Sequence, residues 1–404
     1  MEVKKSAKST NREVLDFGDT KVAFAHRTVK ELKDAKLLFG FINKPLLNKF
    51  GSKLGAFAIK WNLPFAERIT MQTVYKQFVG GRTLLEVEQA AAKLDILNVS
   101  CALDYGAEGK NDESAYNTTM TECIRALEFA SRHINVPIVT TKISGLASDD
   151  LLLAISEGRA LTEPEEKAYR AVSKRLDSLC YVASDKGVQL YIDAEESWIQ
   201  PAIDKVVNNA MLRYNKERAV VCSTYQLYRH DRYDALVTQH DICRSRGVVL
   251  GAKLVRGAYM EKERARAIEK GYPSPINPDK ATTDKEYNKA VAYCLENLDT
   301  IDFVNASHNQ LSAQLMLAAM EDKGIDKQHK HALFCQLYGM SDNVTFKLAA
   351  EGYRVAKYVP YGPVADVVPY LVRRAQENTS IAGEMGRELS LVVQELERRA
   401  SKTK

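Results

Sequence analysis

The sequence predicts an α/β protein whose main part is a TIM-like (β/α)₈ barrel, expected to be distorted. The chain has 404 residues, of which 45% are hydrophobic, and roughly 250 residues suffice for one such barrel. From about residue 96 onward, short apolar and β-branched runs alternate with amphipathic stretches. Because strands that alternate with helices and are buried on both faces form parallel sheets, eight runs predict closure into a barrel. The runs are 97–104, 136–144, 188–194, 219–225, 248–255, 301–306, 331–337 and 354–359.

The first 95 residues are expected to form an all-helical arm in front of the barrel. Apolar positions recur there at helical spacing, as in Leu32, Leu37 and Phe41, and no run alternates as a strand does. A short tail is expected after the barrel. The predicted units are therefore the arm (1–95), the barrel domain (96–390) and the C-terminal tail (391–404).

The segment 145–187 is longer than one crossover helix needs. Within it, Thr162 is followed three residues later by Glu165, with Pro164 between them. Threonine and glutamate at this spacing form the capping box that begins many helices, and proline fits the first helical turn. An inserted or extended helix is therefore predicted to begin just after Thr162.

Charge and hydropathy exclude several classes of protein. The net charge of +5 is small for this length, and no long basic stripe carries interleaved aromatic residues, so nucleic acid is a poor candidate partner. No apolar run reaches the roughly 18 residues of a membrane-spanning helix, so we expect none. The start lacks both the apolar stretch of a secretory signal and the arginines of a transit peptide, and we expect that any import signal has been removed.

The seven cysteines are scattered between Cys101 and Cys335. They form no C-x-x-C pair and no cluster with histidine at the spacing of metal ligands. We therefore expect buried thiols in a reducing compartment, and no metal.

Candidate functional residues follow from the general geometry of barrel enzymes. The working residues lie at the carboxyl ends of the strands and in the loops that follow. Applied to the predicted strands, this rule selects Lys142, Asp193, Glu195, Glu196, Gln226, Lys253, Arg256, Tyr259, His308, Asn309, Gln336 and Tyr358.

The stretch after the last predicted strand is expected to be a helix. Asp366 can cap its start, and Pro369 then falls in the first turn, where its missing N–H is harmless.

Two adjacent arginines, Arg373 and Arg374, follow in this helix, with Tyr370 and Glu377 three or four residues away. The arginines could form forked bonds to a ligand carboxylate while Glu377 orients one of them. A solvated Arg–Glu pair, contributing only about 0.3–0.5 kcal/mol, is the alternative that these residues leave open by themselves.

Six motifs, in order, resemble those of the proline dehydrogenase family. Their order over roughly residues 96–385 is not what chance would give, and the arm resembles the eukaryotic branch more loosely. The motifs are Thr141-Lys142-Ile-Ser, Ile192-Asp193-Ala-Glu195-Glu196, Lys253-Leu-Val-Arg-Gly-Ala-Tyr259, Ala306-Ser-His-Asn309, Gln336-Leu-Tyr-Gly-Met340 and Tyr370-Leu-Val-Arg-Arg-x-x-Glu-Asn.

The resemblance implies an FAD enzyme that oxidises L-proline. Arg373 and Arg374 would bind the substrate carboxylate, with Glu377 ion-paired to one of them. The other implied pocket residues are Lys142, Asp193, Tyr259, Leu337, Tyr358 and Tyr370. The implied cofactor contacts are Ser223, Gln226, Lys253, Val255, Gly257, Ala258, Thr283, His308, Asn309 and Gln336.

Two implied flavin contacts depart from the pattern of many relatives. Ser223 stands where an amide is common, and Lys253 stands where bacterial relatives carry arginine. Lys253 still supplies the positive charge that would stabilise an anionic reduced flavin, although alone it could be a surface lysine at a strand end. Gly257 and Ala258 are small, as a backbone close to a planar ring requires, or as a simple turn requires.

The acidic residues and His308 allow alternative readings. Asp193 with Glu195 and Glu196 could bind a metal or act in acid–base catalysis. The resemblance instead favours a buried Asp193 that is hydrogen-bonded to Lys142 or to a tyrosine. For His308, we favour a hydrogen-bonded flavin contact over a catalytic base.

The implied reaction transfers hydride from C5 of proline to N5 of FAD and yields Δ¹-pyrroline-5-carboxylate. The resemblance further implies ubiquinone as electron acceptor and a peripheral position on the matrix side of the mitochondrial inner membrane. The arm could assist this docking, or could simply pack on the barrel. Tyr358 would exclude 4-hydroxyproline, because relatives that prefer that substrate carry a small serine there.

Two other functions are compatible with the pattern. A barrel aldolase would use Lys142 or Lys253 to form a Schiff base and would bind no flavin. A flavin- or amino-acid-binding sensor would keep the arginine pair but need not reduce any acceptor.

Overall fold

A computed structural model describes residues 15–44, 66–106, 111–368, 370–372 and 384–402. Eight parallel strands close into a barrel in chain order, β1 pairing with β2 and finally with β8. The predicted (β/α)₈ fold is confirmed, and each predicted run overlaps one strand. The strands are β1 (Ser100–Tyr105), β2 (Ile138–Thr141), β3 (Gln189–Ile192), β4 (Val221–Gln226), β5 (Leu250–Val255), β6 (Ile301–Ala306), β7 (Ala332–Leu337) and β8 (Val355–Tyr361).

Helices precede, surround and follow the barrel. In front of it lie α1 (Thr20–Ala23), α2 (Val29–Ile42), α3 (Ala66–Thr70), a π-helical turn (Met71–Tyr75), α4 (Lys76–Phe78) and α5 (Leu84–Asp95). Between the strands lie α6 (Glu113–Ala130), α7 (Asp149–Ser156), α8 (Glu163–Lys186), α9 (Gln200–Tyr214), α10 (Arg232–Ser245), α11 (Met260–Lys270), α12 (Lys280–Glu296), α13 (Gln310–Asp322) and α14 (Asp342–Ala350). After β8 come α15, of which 364–368 and 370–372 are described, and α16 (Glu384–Ser401).

Strand alternation divides the buried side chains into two cores. Along β1, Leu103 belongs to the core between the strands and the outer helices, whereas Ala102 belongs to the core inside the barrel. The same alternation separates Phe334 from Cys335 on β7. Because successive side chains of a strand point to opposite faces, a residue's position in its strand decides whether it can reach the barrel mouth.

The capping box predicted for the segment 145–187 is present. The Glu165 carboxylate accepts hydrogen bonds from the backbone N–H and the hydroxyl of Thr162, each at 2.8 Å. The helix that follows, α8, ends at Gly187, whose φ of 72° is a left-handed conformation that glycine adopts without strain. Local sequence signals therefore determine both ends of this helix.

The arm is attached to the barrel near β8. Gly81 forms a parallel bridge with Tyr361, and the Gly80 N–H donates to the carbonyl of Pro360 at 2.8 Å. A Cβ on Gly80 would lie 2.4 Å from Val359, so only glycine allows this close approach.

The C-terminal residues form a helix that packs on the arm. Leu391 and Val392 are buried, and Arg399 of α16 donates to the backbone carbonyls of Phe24 and Arg27 at 2.7 and 2.8 Å. The boundary predicted at residue 390 therefore falls inside α16. Its amphipathic pattern extends across that boundary, which is why the segment folds onto the protein instead of forming a separate tail.

The start of α15 differs from the prediction. Helical residues begin at position 364, and the N–H of Asp366 already donates to the carbonyl of Pro363 at 3.0 Å. Asp366 is therefore inside the first turn and is not the N-cap. Pro363 ends the preceding extended segment and sets the earlier start.

All seven cysteines are buried with free thiols, as the sequence predicts. In the part of the chain that the structure describes, no helix combines the length and apolar character needed to cross a bilayer.

Candidate active site

Four strands place charged or phenolic side chains in the mouth of the barrel. Lys142 follows β2, Asp193 follows β3, Lys253 lies in β5 and Tyr358 lies in β8. Each occupies the alternate position that faces the barrel interior, in register with inner-core residues of its own strand. Residues that are far apart in the chain thus meet at one point.

Asp193 is the common partner of the other three residues. Its Oδ2 accepts from the Lys142 ammonium at 3.2 Å and from the Tyr358 hydroxyl at 2.8 Å. Its Oδ1 accepts from the Lys253 ammonium. The Lys253 ammonium also lies over the Tyr358 ring, 5.0 Å from its centroid, which adds a cation–π attraction. The hydrogen-bonded arrangement expected for Asp193 is therefore present with both lysine and tyrosine.

The two ammonium groups determine the charge state of this aspartate. Burial alone would raise the pKa of Asp193, but attraction to Lys253 and Lys142 outweighs that penalty and holds the pKa well below its usual range. Burial, together with the nearby carboxylates, raises the pKa of the Tyr358 hydroxyl far above its usual value. Asp193 is consequently an ionised acceptor, and Tyr358 is a neutral donor to it.

Asp104, at the end of β1, was not among the predicted residues. It is almost completely buried, its Oδ1 lies 3.6 Å from the Lys142 ammonium, and it accepts a 3.0 Å hydrogen bond from Thr140. Burial raises its pKa, and the attraction of Lys142 offsets this only in part. A signal was available, because an aspartate ends the first apolar run, but the list of strand ends began with the second strand.

Glu195 and Glu196 have hydrogen-bond partners outside the Asp193 group. Glu195 accepts from the backbone N–H of Ser144 at 3.0 Å and from its hydroxyl, while Glu196 pairs with Lys262. Burial raises the pKa of Glu195 to about 7. Among the described residues, no three His, Cys, Asp or Glu side chains are grouped as metal ligands. The alternative of a metal bound by this acidic run has no support in the arrangement.

In the segment after β5, the backbone packs closely against neighbouring side chains. Gly257 has a φ of 139°, and a Cβ there would lie 2.4 Å from the ring of Tyr228. The next N–H, of Ala258, donates to the side-chain oxygen of Gln226 at 3.2 Å. Gln226 itself donates to the carbonyl of Glu195 at 2.7 Å. Val255, Gly257, Ala258 and Gln226 therefore form one rim beside Lys253, in which Gln226 is hydrogen-bonded to the backbone on both sides.

A second rim lies at the ends of β6 and β7. His308 Nδ1 lies 2.9 Å from the Ser341 hydroxyl, and Asn309 caps α13 by accepting from the N–H of Ser312 at 3.1 Å. Gln336 is on the helix-facing side of β7, where it donates to the carbonyl of Ser307 and accepts from Thr345. Gln336 therefore supports this rim from behind.

Two predicted cofactor contacts lie outside the group. Ser223 sits between Val221 and Tyr225, which face the outer helices, and its own side chain faces the same way. Thr283 is in the first turn of α12, where its hydroxyl bonds to Asp279 and Asn277. Neither side chain is directed at the barrel mouth.

The remaining predicted pocket residues are only partly described. Tyr259 and Tyr370 are buried, and Tyr370 and Leu337 pack with the inner core that contains Tyr358. Arg373, Arg374 and Glu377 lie outside the described residues.

A closed parallel barrel with buried ionisable groups at the carboxyl ends of its strands defines a (β/α)₈-barrel enzyme. The family model for proline dehydrogenase matches residues 87–387. The chain belongs to the proline dehydrogenase family. This result decides against the aldolase.

Individual relatives agree with the family match. The chain is 33% identical over 354 residues to the carbapenem antibiotics biosynthesis protein CarD of Pectobacterium carotovorum, covering 88% of this chain and 92% of CarD. It is 31% identical to the hydroxyproline dehydrogenase of Xenopus laevis, covering 95% and 90%. With the human mitochondrial proline dehydrogenase 1, identity is 42%, but the match covers 59% of this chain and only 40% of that protein.

Solved structures share the fold. A proline utilization A protein from Bdellovibrio bacteriovorus, inactivated by N-propargylglycine, matches with a TM-score of 0.74 and 20% identity, covering 92% of this chain and 42% of that one. The proline utilization A of Bradyrhizobium japonicum matches with a TM-score of 0.67 and 18% identity.

Proposed function

We propose that this protein oxidises L-proline to Δ¹-pyrroline-5-carboxylate with FAD as cofactor. The observation that carries the proposal is the four-residue centre of Lys142, Asp193, Lys253 and Tyr358, together with membership of the family. This centre joins strands from opposite sides of the barrel at the end where barrel enzymes bind their substrates.

The centre suits an anionic substrate and a cofactor that gains negative charge. Two lysines, Lys142 and Lys253, share one ionised aspartate, Asp193. Their ammonium groups place fixed positive charge at the open end of the barrel. A preorganised positive charge stabilises negative charge that develops next to it.

The residues also fit a flavin sterically. Gly257 and Ala258 bring the backbone to the barrel mouth without a large side chain, and Gln226 holds that backbone in place. Lys253, Val255, Gly257, Ala258, His308 and Asn309 are the residues that would hold FAD. When bound, FAD would accept the hydride from the carbon beside the ring nitrogen of proline.

This chain's own residues would bind and orient the amino acid. Arg373 and Arg374, which lie outside the described residues, would hold its carboxylate, with Glu377 orienting one guanidinium. Tyr358, Tyr370 and Leu337 would enclose its ring. Fixing both the carboxylate and the ring supplies rate through positioning, because the reacting carbon is then held in one place.

A quinone in a membrane is the electron acceptor that we propose. One face of α2 packs on the core, whereas the opposite face exposes Leu37 and Phe41, which are 75% and 48% exposed. Exposed Lys33 lies one turn before Leu37 on that same face, and exposed Lys44 lies just beyond the end of the helix. A helix with apolar and basic residues on one surface suits peripheral attachment to an anionic bilayer. Several relatives are mitochondrial proteins by name, and we propose the matrix side of the inner membrane.

Absorption spectroscopy tests the proposal. Protein purified with added FAD should be yellow, and L-proline added without oxygen should bleach it, whereas D-proline should act far more slowly. A quinone analogue should then restore the colour, and the released ring imine should be detectable by its coloured adduct with o-aminobenzaldehyde.

Three outcomes separate the alternatives. Protein that stays colourless after FAD addition contradicts the proposal. Yellow protein that L-proline does not bleach supports a flavin-binding sensor. An adduct trapped by borohydride, in the absence of flavin, would restore the aldolase. Denaturation should release the flavin, because no covalent attachment motif is recognised in the sequence.

A further inference from the structure

The C-terminal helix α16 reaches the rim at the ends of β6 and β7. Its Arg387 side chain donates to the backbone carbonyl of His308 at 3.1 Å, and its Glu388 Oε1 accepts from the backbone N–H of Ser341 at 2.9 Å. Both contacts join residues far apart in the chain. They involve two sides of the same rim, one after β6 and one after β7.

Ser341 links Glu388 to His308. Its hydroxyl oxygen lies 2.9 Å from His308 Nδ1 and 3.4 Å from Glu388 Oε1. Ser341 also has a φ of 49°, a left-handed conformation that costs a residue other than glycine some energy. The backbone thus holds this hydroxyl between a carboxylate and an imidazole.

The charge of Glu388 decides which way the serine proton points. Glu388 is buried, and burial raises its pKa to about 7, with Asp342 acting in the same direction and Arg387 and Lys357 opposing. Above that pH the carboxylate is ionised and can only accept. A hydroxyl has one proton, and a hydrogen bond to an ionised acceptor is stronger than one to a neutral nitrogen.

We propose that Glu388 is a positioning residue that acts through the Ser341 hydroxyl to hold His308 in its Nδ1–H tautomer, leaving Nε2 as a proton acceptor. When Ser341 donates to Glu388, its oxygen is left to accept from Nδ1–H of the histidine. The bond made by one imidazole nitrogen determines the state of the other. Arg387 fixes the backbone of the same histidine, so α16 sets both its position and its tautomer.

The consequence for the cofactor rests on the proposed function. We call the hydrogen-bonded chain from Glu388 through Ser341 to His308 the relay. If His308 contacts FAD, the relay decides whether its Nε2 atom accepts a hydrogen bond there or donates one. The tautomer itself is measured from the imidazole nitrogens, which is a readout separate from activity and from FAD affinity.

Nuclear magnetic resonance of the imidazole nitrogens tests the tautomer. FAD-loaded, oxidised protein with ¹⁵N-labelled histidine is examined at pH 8, and His308 is assigned among the seven histidines with a His308→Gln variant. The parent should show the nitrogen shifts of the Nδ1–H form. Ser341→Gly should convert His308 to predominantly Nε2–H, the form that neutral imidazole prefers in water.

The chain provides controls for this measurement. Glycine tolerates the left-handed backbone at position 341, so Ser341→Gly should keep its melting temperature. Glu397→Gln changes an exposed carboxylate on the same helix and should have no effect. Glu388→Gln, a weaker acceptor, should lower the Nδ1–H population.

Two results would overturn the inference: Nε2–H in the parent, or no change of tautomer in Ser341→Gly. FAD affinity is measured in parallel. Ser341→Gly should weaken it about two- to tenfold, as expected for one hydrogen bond. A changed tautomer with unchanged FAD affinity would uphold the relay and count against His308 as a flavin contact.

Discussion

Two aspartates in this protein each hold two cations, yet they lie in different places. Asp193 binds Lys142 and Lys253 inside the barrel mouth. Asp342, at the start of α14, binds Lys357 at 3.0 Å and Arg27 of the arm at 2.8 Å. In both cases burial would raise the pKa of the aspartate and the neighbouring cations lower it below its usual range.

Consecutive residues of β8 supply one member to each group. Tyr358 points inward and donates to Asp193, and Lys357 points outward to Asp342. The Asp342 carboxylate is also more enclosed, because its side chain is 5% exposed and that of Asp193 is 13% exposed. A buried ion group and a lowered pKa are therefore not evidence of catalysis by themselves. What distinguishes the Asp193 group as the candidate active site is its position at the open, carboxyl end of the strands. The Asp342 group instead joins α14 to β8 and to the arm.

The largest expected effect concerns stability. Asp342→Asn removes the carboxylate that pairs with the buried Lys357 and with Arg27, and should lower the free energy of unfolding by about 3–5 kcal/mol. The folded fraction should keep its KM for proline. Asp193→Asn should cost less stability, because its site is more open, but should reduce kcat/KM about a hundredfold or more, since it holds three side chains.

Urea unfolding and steady-state kinetics of both variants make this test. The double substitution of Asp342→Leu with Lys357→Met removes both charges and should recover much of the stability. If Asp342→Asn impaired kcat/KM more than Asp193→Asn did, the two groups would have been assigned the wrong roles.

Periodicity predicted most of the fold. All eight strands were located because apolar runs are visible in the chain, and the helix after Thr162 began where the capping box indicated. The C-terminal tail was misjudged because the contacts of α16 with the arm and with Ser341 join residues far apart in the chain. No local signal encodes such contacts.

Strand parity explains why the side chains of two predicted cofactor contacts, Ser223 and Gln336, face the outer helices. Ser223 and Gln226 are three apart on one strand, and Gln336 adjoins Leu337, so neither pair can face one side. This rule was available from the sequence. In contrast, the pairing of Asp193 with Lys253 could not be read from the chain, because it depends on barrel closure.

Glu195 provides a contrast with the two aspartates, because Ser144 and not an ammonium group donates to its carboxylate. Glu195 is held by Ser144, and burial raises its pKa from 4.5 to about 7, opposite in direction to Asp193 and Asp342. A raised pKa means that the folded protein binds the proton more tightly than the unfolded chain does. This contribution to stability is fully present below pH 4.5 and is lost as the pH rises to about 7.

Between pH 5 and 8, the titration of Glu195 should lower the free energy of unfolding of the parent by up to roughly 3 kcal/mol. Glu195→Gln should lack this pH-dependent loss. Urea unfolding across that range measures it. Glu196→Gln, whose carboxylate pairs with Lys262, provides the matched control. An unchanged slope in Glu195→Gln would show that this carboxyl titrates normally.

Arg373 and Arg374 belong to the same proposed substrate site as Asp193. Replacing Arg373 or Arg374 by Met should raise the KM for proline about ten- to a hundredfold, the effect of losing one charge-assisted bond of roughly 1.5–3 kcal/mol, with FAD still bound. Arg125→Met, at a guanidinium that is 61% exposed on α6, is the matched control. Proline binding as tight as in the parent, in both variants, would place the pair on a solvated face.

Tyr358 gives the smallest effect, which concerns the choice between proline and 4-hydroxyproline. Its hydroxyl is held by Asp193 and its ring lies beside Lys253, so the side chain is fixed from two directions. A substrate hydroxyl directed at this ring would be crowded and would lack a hydrogen-bond partner, at a cost of roughly 1–3 kcal/mol. The parent should therefore favour proline by about ten- to a hundredfold in kcat/KM.

Tyr358→Ser should reduce that preference, because it opens the space and supplies a hydroxyl. Tyr358→Phe keeps the ring and removes only the bond to Asp193, so it should slow both substrates and leave their ratio unchanged. A ratio that moves equally in both variants would mean that the hydrogen bond sets the specificity and not the bulk of the ring, and a ratio that moves in neither would exclude Tyr358 from substrate choice altogether.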